Sequence, residues 1–423
     1  MFNLSLINRI KKKIFPFYKN KDLKFVFKKL HEGFPAQSKT AMFVGGCVRK
    51  YLTNEDIDDI DIATSLTTDQ IKESFKDTKF QIIDSGIKHG TVTLVSGKLK
   101  LELTTLRKDI KTDGRHAEIE FTDNWLKDSE RRDITINAIY LDGNGKIYDY
   151  QSGVKDLKNN IIKFIGEPNT RIQEDYLRII RFLRFAIQYD SNIDAQTIEA
   201  LKLNLVGIKN LSRERVLDEL FKIIKLNNFH NILRDINKKF IFLLIFPELK
   251  YIERLNKLDS LKKNKILNNQ NVIILSALLI DQSNNHEYFC HKYKTSNSLK
   301  EELELISSEH FKYRSDKNYF TKNLKKNVYL FGREKLKKIA IFTFLENKKF
   351  SLSELLKIIE NIHDITIPKF TFNGEKLKKK GFTEGKEIGI GLKKLEKEWI
   401  ENDFNLSDQR ADSIINKIRI YKY

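Results

Sequence analysis

The sequence predicts an α/β head followed by an almost wholly helical remainder, and three features carry that expectation. A short apolar run at residues 41–44 ends in Gly45-Gly46 and passes into a helix-like stretch over residues 47–52. Period-two patterns recur as far as residue 105, in Asp59-Ile60-Asp61-Ile62 and in Leu99, Leu101 and Leu103 alternating with Lys100, Glu102 and Thr104. Beyond a turn-rich joint at residues 147–157 the apolar residues fall at helical spacing. At 423 residues the chain is too long for one core, so two or more domains are expected.

Residues 22–31 predict an amphipathic helix, with Leu23, Val26, Phe27 and Leu30 on one face. The run at 41–44 reads as a buried strand. Gly45-Gly46 then allows a tight turn and close backbone approach to a ligand. The helix that follows points its free N–H groups and the positive end of its dipole at the same place, with Arg49 one turn in. Strand periodicity puts Asp59 and Asp61 on one face and both isoleucines on the other. Two carboxylates so spaced suit hard cations such as Mg²⁺, and hence nucleotidyl transfer from a triphosphate. A turn and a solvated strand face are the plain readings of the two motifs; their order and spacing together favour a site.

Residues 68–75 predict a further helix, residues 84–90 a turn and residues 91–95 a strand that returns through Gly97. Glu102 then points either toward the aspartates, as a third carboxylate, or into solvent. Residues 107–121, with Asp113-Gly114-Arg115-His116 and few apolar residues, read as a mobile loop that either covers the site or simply connects. Arg131-Arg132 precede a helix-like run. In residues 174–185, Asp175 and Arg178 are i, i+3 neighbours on the predicted helix, and Arg181 and Arg184 continue the row. That pairing is either an intrahelical salt bridge or a reader of bases. A carboxylate accepting from an exocyclic amine and a guanidinium donating to the ring acceptor beside it would admit cytosine and adenine and reject uracil and guanine. Ser212 is expected to cap a helix, and Trp399 to anchor a helix–glycine turn–helix segment from Gly374. His286, Cys290 and His291 have a loose metal-like spacing and read as structural, and His363-Asp364 lacks companion ligands.

Composition narrows the class. No run of about 18 apolar residues occurs, so no membrane span is expected. Two cysteines make no disulfide framework, and the first 20 residues lack the apolar core of a secretory signal, so a cytoplasmic location is expected. Residues 1–150 hold 26 Lys and Arg against 22 Asp and Glu, a net +4, whereas the remainder holds 51 against 35, a net +16. An excess of positive charge outside the head suits a polyanion such as RNA, although the chain is Lys-rich throughout.

On Gly45-Gly46-Cys47-Val48-Arg49, Asp59-Ile60-Asp61, the arginine pair and residues 174–185, the chain resembles the class II tRNA nucleotidyltransferases, the family of bacterial CCA-adding enzymes and poly(A) polymerases. The likeness covers roughly residues 25–220. It implies a nucleotidyltransferase head with a mixed sheet (25–150) after an N-terminal extension (1–24), then all-α neck (151–220), body (221–345) and tail (346–423). It further implies Asp59 and Asp61 as Mg²⁺ ligands and Gly45, Gly46 and Arg49 as triphosphate contacts. Arg132, Asp175, Arg178, Arg181 and Arg184 would be nucleotide contacts. Arg107, Asp113, Arg115 and His116 would lie on a flexible loop that switches C to A addition. Partners would be tRNA, CTP and ATP, with no protein partner implied. Ile87-Lys88-His89-Gly90-Thr91-Val92 is similar to the CCA-adding form, which leaves poly(A) synthesis or partial CC or A addition as the alternatives. Lys50 stands where the family usually has Asp, and Asp58 where Lys is common.

The charge division predicts that RNA affinity resides mainly after residue 150 and falls steeply with salt. Binding of tRNA across a salt series checks this; a flat response would contradict it.

Overall fold

The computed structural model describes residues 20–32, 40–86, 89–112, 117–267, 271–382 and 385–420. It divides into two compact units, residues 1–250 with 292–294, and residues 251–291 with 295–423.

The first unit opens with α1 (Lys21–Glu32), whose Leu23, Val26, Phe27 and Leu30 are buried as its helical spacing requires. Phe27 packs on Phe43 with ring centroids 4.6 Å apart. Phe43 belongs to β1 (Ala41–Val44), buried at every position because both faces of this central strand are covered. There follow α2 (Gly46–Thr53), β2 (Ile60–Thr64), α3 (Thr68–Phe75), β3 (Gln81–Gly86), β4 (Thr91–Ser96) and β5 (Leu99–Thr105). A capping box between Thr67 and Gln70 starts α3 where the sequence places it. β8 (Ile139–Leu141) and β9 (Ile147–Asp149) complete a seven-stranded sheet of order β3-β4-β5-β2-β1-β8-β9. Only β2 and β5 run parallel, so the sheet is mixed.

Two local expectations change here. Residues 84–86 continue strand β3 rather than turning, because pairing with β4 uses their backbone groups through a register shift between Ile83 and Gly86. The stretch 107–121 is not an open loop among its described residues. It forms a separate hairpin, β6 (Arg107–Thr112) with β7 (Ala117–Phe121). Arg107 pairs with Phe121 and Lys108 with Glu120 across it, and hairpin hydrogen bonds with a Lys108–Glu120 ion pair at 3.0 Å hold the strands. Asp113, Arg115 and His116 lie outside the described residues.

After α4 (Trp125–Glu130), the helix-like run following Arg132 proves to be a single 3₁₀ turn, Thr135–Asn137, leading into β8. The unit then becomes helical: α5 (Gly153–Lys158), α6 (Pro168–Glu174), α7 (Leu177–Gln188), α8 (Ala195–Asn204), α9 (Arg213–Ile224) and α10 (Ile236–Ile245). α7 buries eight of its residues, and Phe182 stacks on Phe164 at 4.6 Å. Ser212 caps α9 by accepting from the Arg215 N–H.

The second unit is helical throughout its described residues: α11 (Leu258–Lys263), α12 (Asn271–Leu279), α13 (Asn285–Tyr293, which crosses the division), α14 (Asn297–Ser315), α15 (Leu324–Phe331), α16 (Arg333–Glu346), α17 (Leu352–Asp364), α18 (Gly374–Lys379), α19 (Gly385–Glu401) and α20 (Asp408–Ile420). α12 buries seven of nine residues and α16 eight of fourteen, so these two form its centre. Trp399 is buried against Tyr329, Phe370 and Phe404.

The joint after β9 depends on Gly153, where a Cβ would lie 2.2 Å from the Thr135 carbonyl oxygen. Gly153→Ala should destabilise the chain by about 1–3 kcal/mol, read as a lowered urea midpoint against wild type. An unchanged midpoint would contradict this packing.

Candidate active site

The chain order β1–α2–β2 and the parallel partner β5 assemble a cluster of carboxylates. Register sets Asp61 opposite Val44 and beside Glu102. Paired residues on parallel neighbours project from the same face, so the two carboxylates share it. Asp59 precedes β2 and is exposed, while Ile60 is only half-buried, and full burial begins at Ile62. Burial pushes the Asp61 carboxyl up to about 6; Glu102 and Asp59 add repulsion, and Arg132 and Arg49 offset part of it. Glu102 also pairs with Lys100 at 3.2 Å.

Gly45 bridges β1 and α2 at φ +73°, a conformation that excludes most side chains. A Cβ there would sit 3.7 Å from Asp61 Oδ2, so backbone and carboxylate are in contact range. Gly45 offers no side-chain cap and the first turn of α2 has no acidic residue. The free N–H groups and positive dipole of α2 therefore lie beside the carboxylate edge. Cys47 is fully buried beneath, its thiol donating to the Val44 carbonyl at 3.2 Å, and burial pushes that thiol up to about 11. It is a packing group.

The arginines are held by partners distant in sequence. Arg49 is buried; its Nε donates to the Tyr189 hydroxyl at 3.0 Å and its Nη1 donates to Asn137 Oδ1. Arg132 donates from Nη2 to Asp128 Oδ2 at 3.0 Å and from Nε to the Tyr140 hydroxyl at 3.1 Å. Burial works to raise Asp128, yet Arg132, Arg131 and the Tyr140 hydroxyl hold it well below the usual carboxylate range. Arg181 pairs with Asp133 at 2.8 Å and Arg184 with Glu219 at 2.7 Å. Arg49, Arg181 and Arg184 surround the Phe185 ring at 4.6, 5.9 and 4.1 Å from its centroid.

The expected Asp175–Arg178 ion pair does not form. Residues 174–185 are not one helix, because α6 ends at Asp175 in an extended conformation and α7 begins after Tyr176. The i, i+3 relation is thereby lost. Arg178 Nη1 donates to Glu174 Oε2 and to the Arg171 carbonyl, and Nη2 donates to the Arg131 carbonyl. Asp175 Oδ1 accepts from the Leu177 N–H at 3.0 Å, and Oδ2 accepts from Arg215 at 2.6 Å. The holding residues Asp128, Asp133, Asn137, Tyr189, Arg215 and Glu219 escape sequence reasoning. Asp128 alone has a local signal, four residues before Arg132 on one helical turn. Asp133 and Arg181 are 48 residues apart. Arg107 Nη1 donates to the His89 carbonyl, tying the base of the β6–β7 hairpin to the start of β4.

The family profile described as the Poly A polymerase head domain matches residues 41–163. That described as the probable RNA and SrmB-binding site of polymerase A matches residues 192–253. The mitochondrial CCA tRNA nucleotidyltransferase 1 of Homo sapiens is 32% identical over 408 residues, covering 92% of this chain and 89% of that protein. This chain belongs to the CCA-adding tRNA nucleotidyltransferase family. The CCA-adding enzyme of Staphylococcus haemolyticus is 39% identical over 228 residues, 53% of this chain and 54% of its own. The Bacillus stearothermophilus CCA-adding enzyme in complex with CTP superposes with a TM-score of 0.68 at 22% identity, over 94% of this chain and 97% of that one. The Thermotoga maritima CCA-adding enzyme complexed with tRNA does so at 0.61 and 20%, over 96% and 98%. At such identities these structures establish the shared fold: an α/β head with a mixed sheet, then helices.

Against the usual family pattern, Lys50 and Asp58 reverse two charges, and the two side chains form an ion pair with each other. Their departures therefore cancel within one contact.

The raised Asp61 sets a pH dependence. In the metal-free chain its contribution to stability is fully present below its ordinary value of 3.8 and is lost as pH rises through about 6. Asp61→Asn in chelator should therefore be more stable than wild type at pH 7, by roughly 1–3 kcal/mol, with the gain vanishing toward pH 4. Paired denaturant titrations measure this, and a pH-independent difference would contradict it.

Proposed function

We propose that this chain adds C, C and A, without a nucleic-acid template, to the 3′ end of tRNA, using CTP and ATP and releasing pyrophosphate. The observation that carries this reading is the 32% identity to a CCA tRNA nucleotidyltransferase along nine-tenths of the chain. The CCA-adding enzymes of like fold, solved with CTP, with ATP and with tRNA, support it.

Divalent metals are general to nucleotidyltransferases, and in this reading the ion is Mg²⁺. The donor set fits: Asp59, Asp61 and Glu102 offer only hard oxygens, and their mutual repulsion is relieved by a cation. Asp59 and Asp61 would hold it, and when bound it would polarise the α-phosphate and offset the charge that builds there. The unsatisfied N–H groups at the start of α2, with Gly45 and Gly46, would take the triphosphate, and Arg49 would add a guanidinium already oriented by Tyr189 and Asn137. The tRNA 3′ hydroxyl attacks the α-phosphorus, its proton passes to Glu102, and the bond to pyrophosphate breaks.

Asp175 and Arg178 would read the base edge, with Arg132, Arg181 and Arg184 as further nucleotide contacts. In this reading Glu174 and Arg215 fix the two readers separately, so each keeps its orientation without the other. The segment 107–121, which includes Arg107, Asp113, Arg115 and His116, would be the lever between C and A addition. The head (25–150), neck (151–220), body (221–345) and tail (346–423) divide this work, the neck reading the base and the body and tail gripping tRNA. No described helix is long and apolar enough to cross a membrane. Both cysteines are free and buried, which suits the reducing cytoplasm we assign.

The test offers tRNAs ending before CCA, after C and after CC, with each nucleoside triphosphate alone and together. Completion to CCA and no further is expected; long A tails would assign the chain to poly(A) synthesis. Asp59→Ala and Asp61→Ala should each lower transfer by at least about a thousandfold, on the order of 4 kcal/mol in the barrier, with tRNA binding retained. Substantial transfer by either variant would overturn the ligand assignment.

A further inference from the structure

The second unit contains a cavity of about 860 Å³ that the reaction above does not use. Its wall includes His286, Glu287 and Glu304, whose potential ligand atoms all lie within 4.8 Å of one another. We propose that these three side chains form a site for a divalent transition-metal ion of the Zn²⁺ type, pinning α13 to α14 and facing the cavity.

His286 is 4% exposed, and its Nε2 lies 3.0 Å from Glu304 Oε2. Two ligand atoms held about 2.0–2.2 Å from one metal at a tetrahedral angle stand a little over 3 Å apart, so little movement is needed. The other ring nitrogen, Nδ1, is buried without a hydrogen-bond partner among the described residues. Metal coordination at Nε2 would fix the tautomer with the ring proton on Nδ1. α13 starts rigidly, because Asn285 Nδ2 donates to the Leu279 carbonyl at 2.8 Å, so His286 and Glu287 are presented from a fixed turn. The positive end of α13 opposes a cation only weakly, and two carboxylates outweigh it.

The donor set selects the metal. One imidazole and two carboxylates suit Zn²⁺, Co²⁺ or Ni²⁺, whereas Mg²⁺ and Ca²⁺ prefer oxygen alone. Three protein ligands leave a fourth position, which the cavity leaves accessible. The sequence-level trio His286, Cys290 and His291 is not what the fold assembles: Cys290 is buried and His291 exposed, while Glu304 arrives from the next helix.

The full-length chain, stripped with chelator and returned to excess Mg²⁺ to occupy the catalytic carboxylates, is titrated calorimetrically with Zn²⁺. One equivalent is expected to bind, and Co²⁺ in its place should give visible absorption bands of a nitrogen-ligated ion. Glu304→Gln, at an exposed position, should weaken Zn²⁺ binding by at least about tenfold, and His286→Ala should abolish the Co²⁺ bands. Asp61→Asn should leave both readouts unchanged. Absence of Zn²⁺ binding in excess Mg²⁺ would overturn the proposal. So would equal binding by a folded Glu304→Gln, or loss of binding in Asp61→Asn.

Discussion

The parallel pairing of β2 with β5 is the constraint on which the site depends. It fixes Asp61 beside Glu102 at the level where β1 gives way to Gly45. Burial first, and then repulsion from the carboxylate on the same face, raises Asp61. The surroundings counter it from several directions. Arg132 and Arg49 supply positive charge, and the start of α2 supplies a dipole. What remains uncompensated is the charge a cation would neutralise. A hydrophobic core alone would not keep such an arrangement. The central strands β1 and β2 make it tolerable because they are clamped on both sides of the edge that carries it.

The same logic governs the arginines. A guanidinium reaching freely from a helix surface would lose rotamer entropy on meeting an anion. Here Arg49, Arg132, Arg181 and Arg184 are already fixed by Tyr189 and Asn137, Asp128, Asp133 and Glu219, and three of them rest on Phe185. Desolvation pulls Arg184 below its ordinary value despite Glu219, whereas Asp133 holds Arg181 above it. Such partners satisfy part of each fork and leave its orientation set. The holding groups come from α4 (Asp128), the 3₁₀ turn and the residues just before it (Asn137, Asp133), the end of α7 (Tyr189) and α9 (Glu219). Head strands and the following helices are thus coupled through charge inside one compact unit.

Much of this was legible in the sequence wherever one element carried the signal. The Gly45-Gly46 turn, α2, Asp61 with Ile62, α3 and the Leu99–Leu101–Leu103 face are each local signals that stand where the sequence puts them, while Asp59 falls just before β2. The failures have a common physical cause. The β6–β7 stretch has few apolar residues, so composition alone reads it as loop although cross-strand hydrogen bonds hold it. Asp175 and Arg178 have helical spacing, but Asp175 is extended and its carboxylate accepts from the Leu177 N–H in the turn between the two helices instead of continuing the first. The partners of the arginines are set by tertiary contact, as with Asp133 and Arg181, and such contacts leave no periodic trace.

Lys50 and Asp58 show how far a site tolerates change when its electrostatics are kept. Read singly, each reverses a charge beside the carboxylate edge, and either alone would shift the local field by two charges. Lys50 leaves the last turn of α2 and Asp58 immediately precedes Asp59, so the fold makes them neighbours. In this chain the two form an ion pair with no net charge, although its negative end lies immediately beside Asp59. Asp58 Oδ1 also accepts from the Asp59 N–H at 3.0 Å, so the swapped carboxylate orients the backbone that presents Asp59. A lysine at position 58 could not make that hydrogen bond, since its ammonium only donates. The exchange is therefore neutral in charge but not in structure.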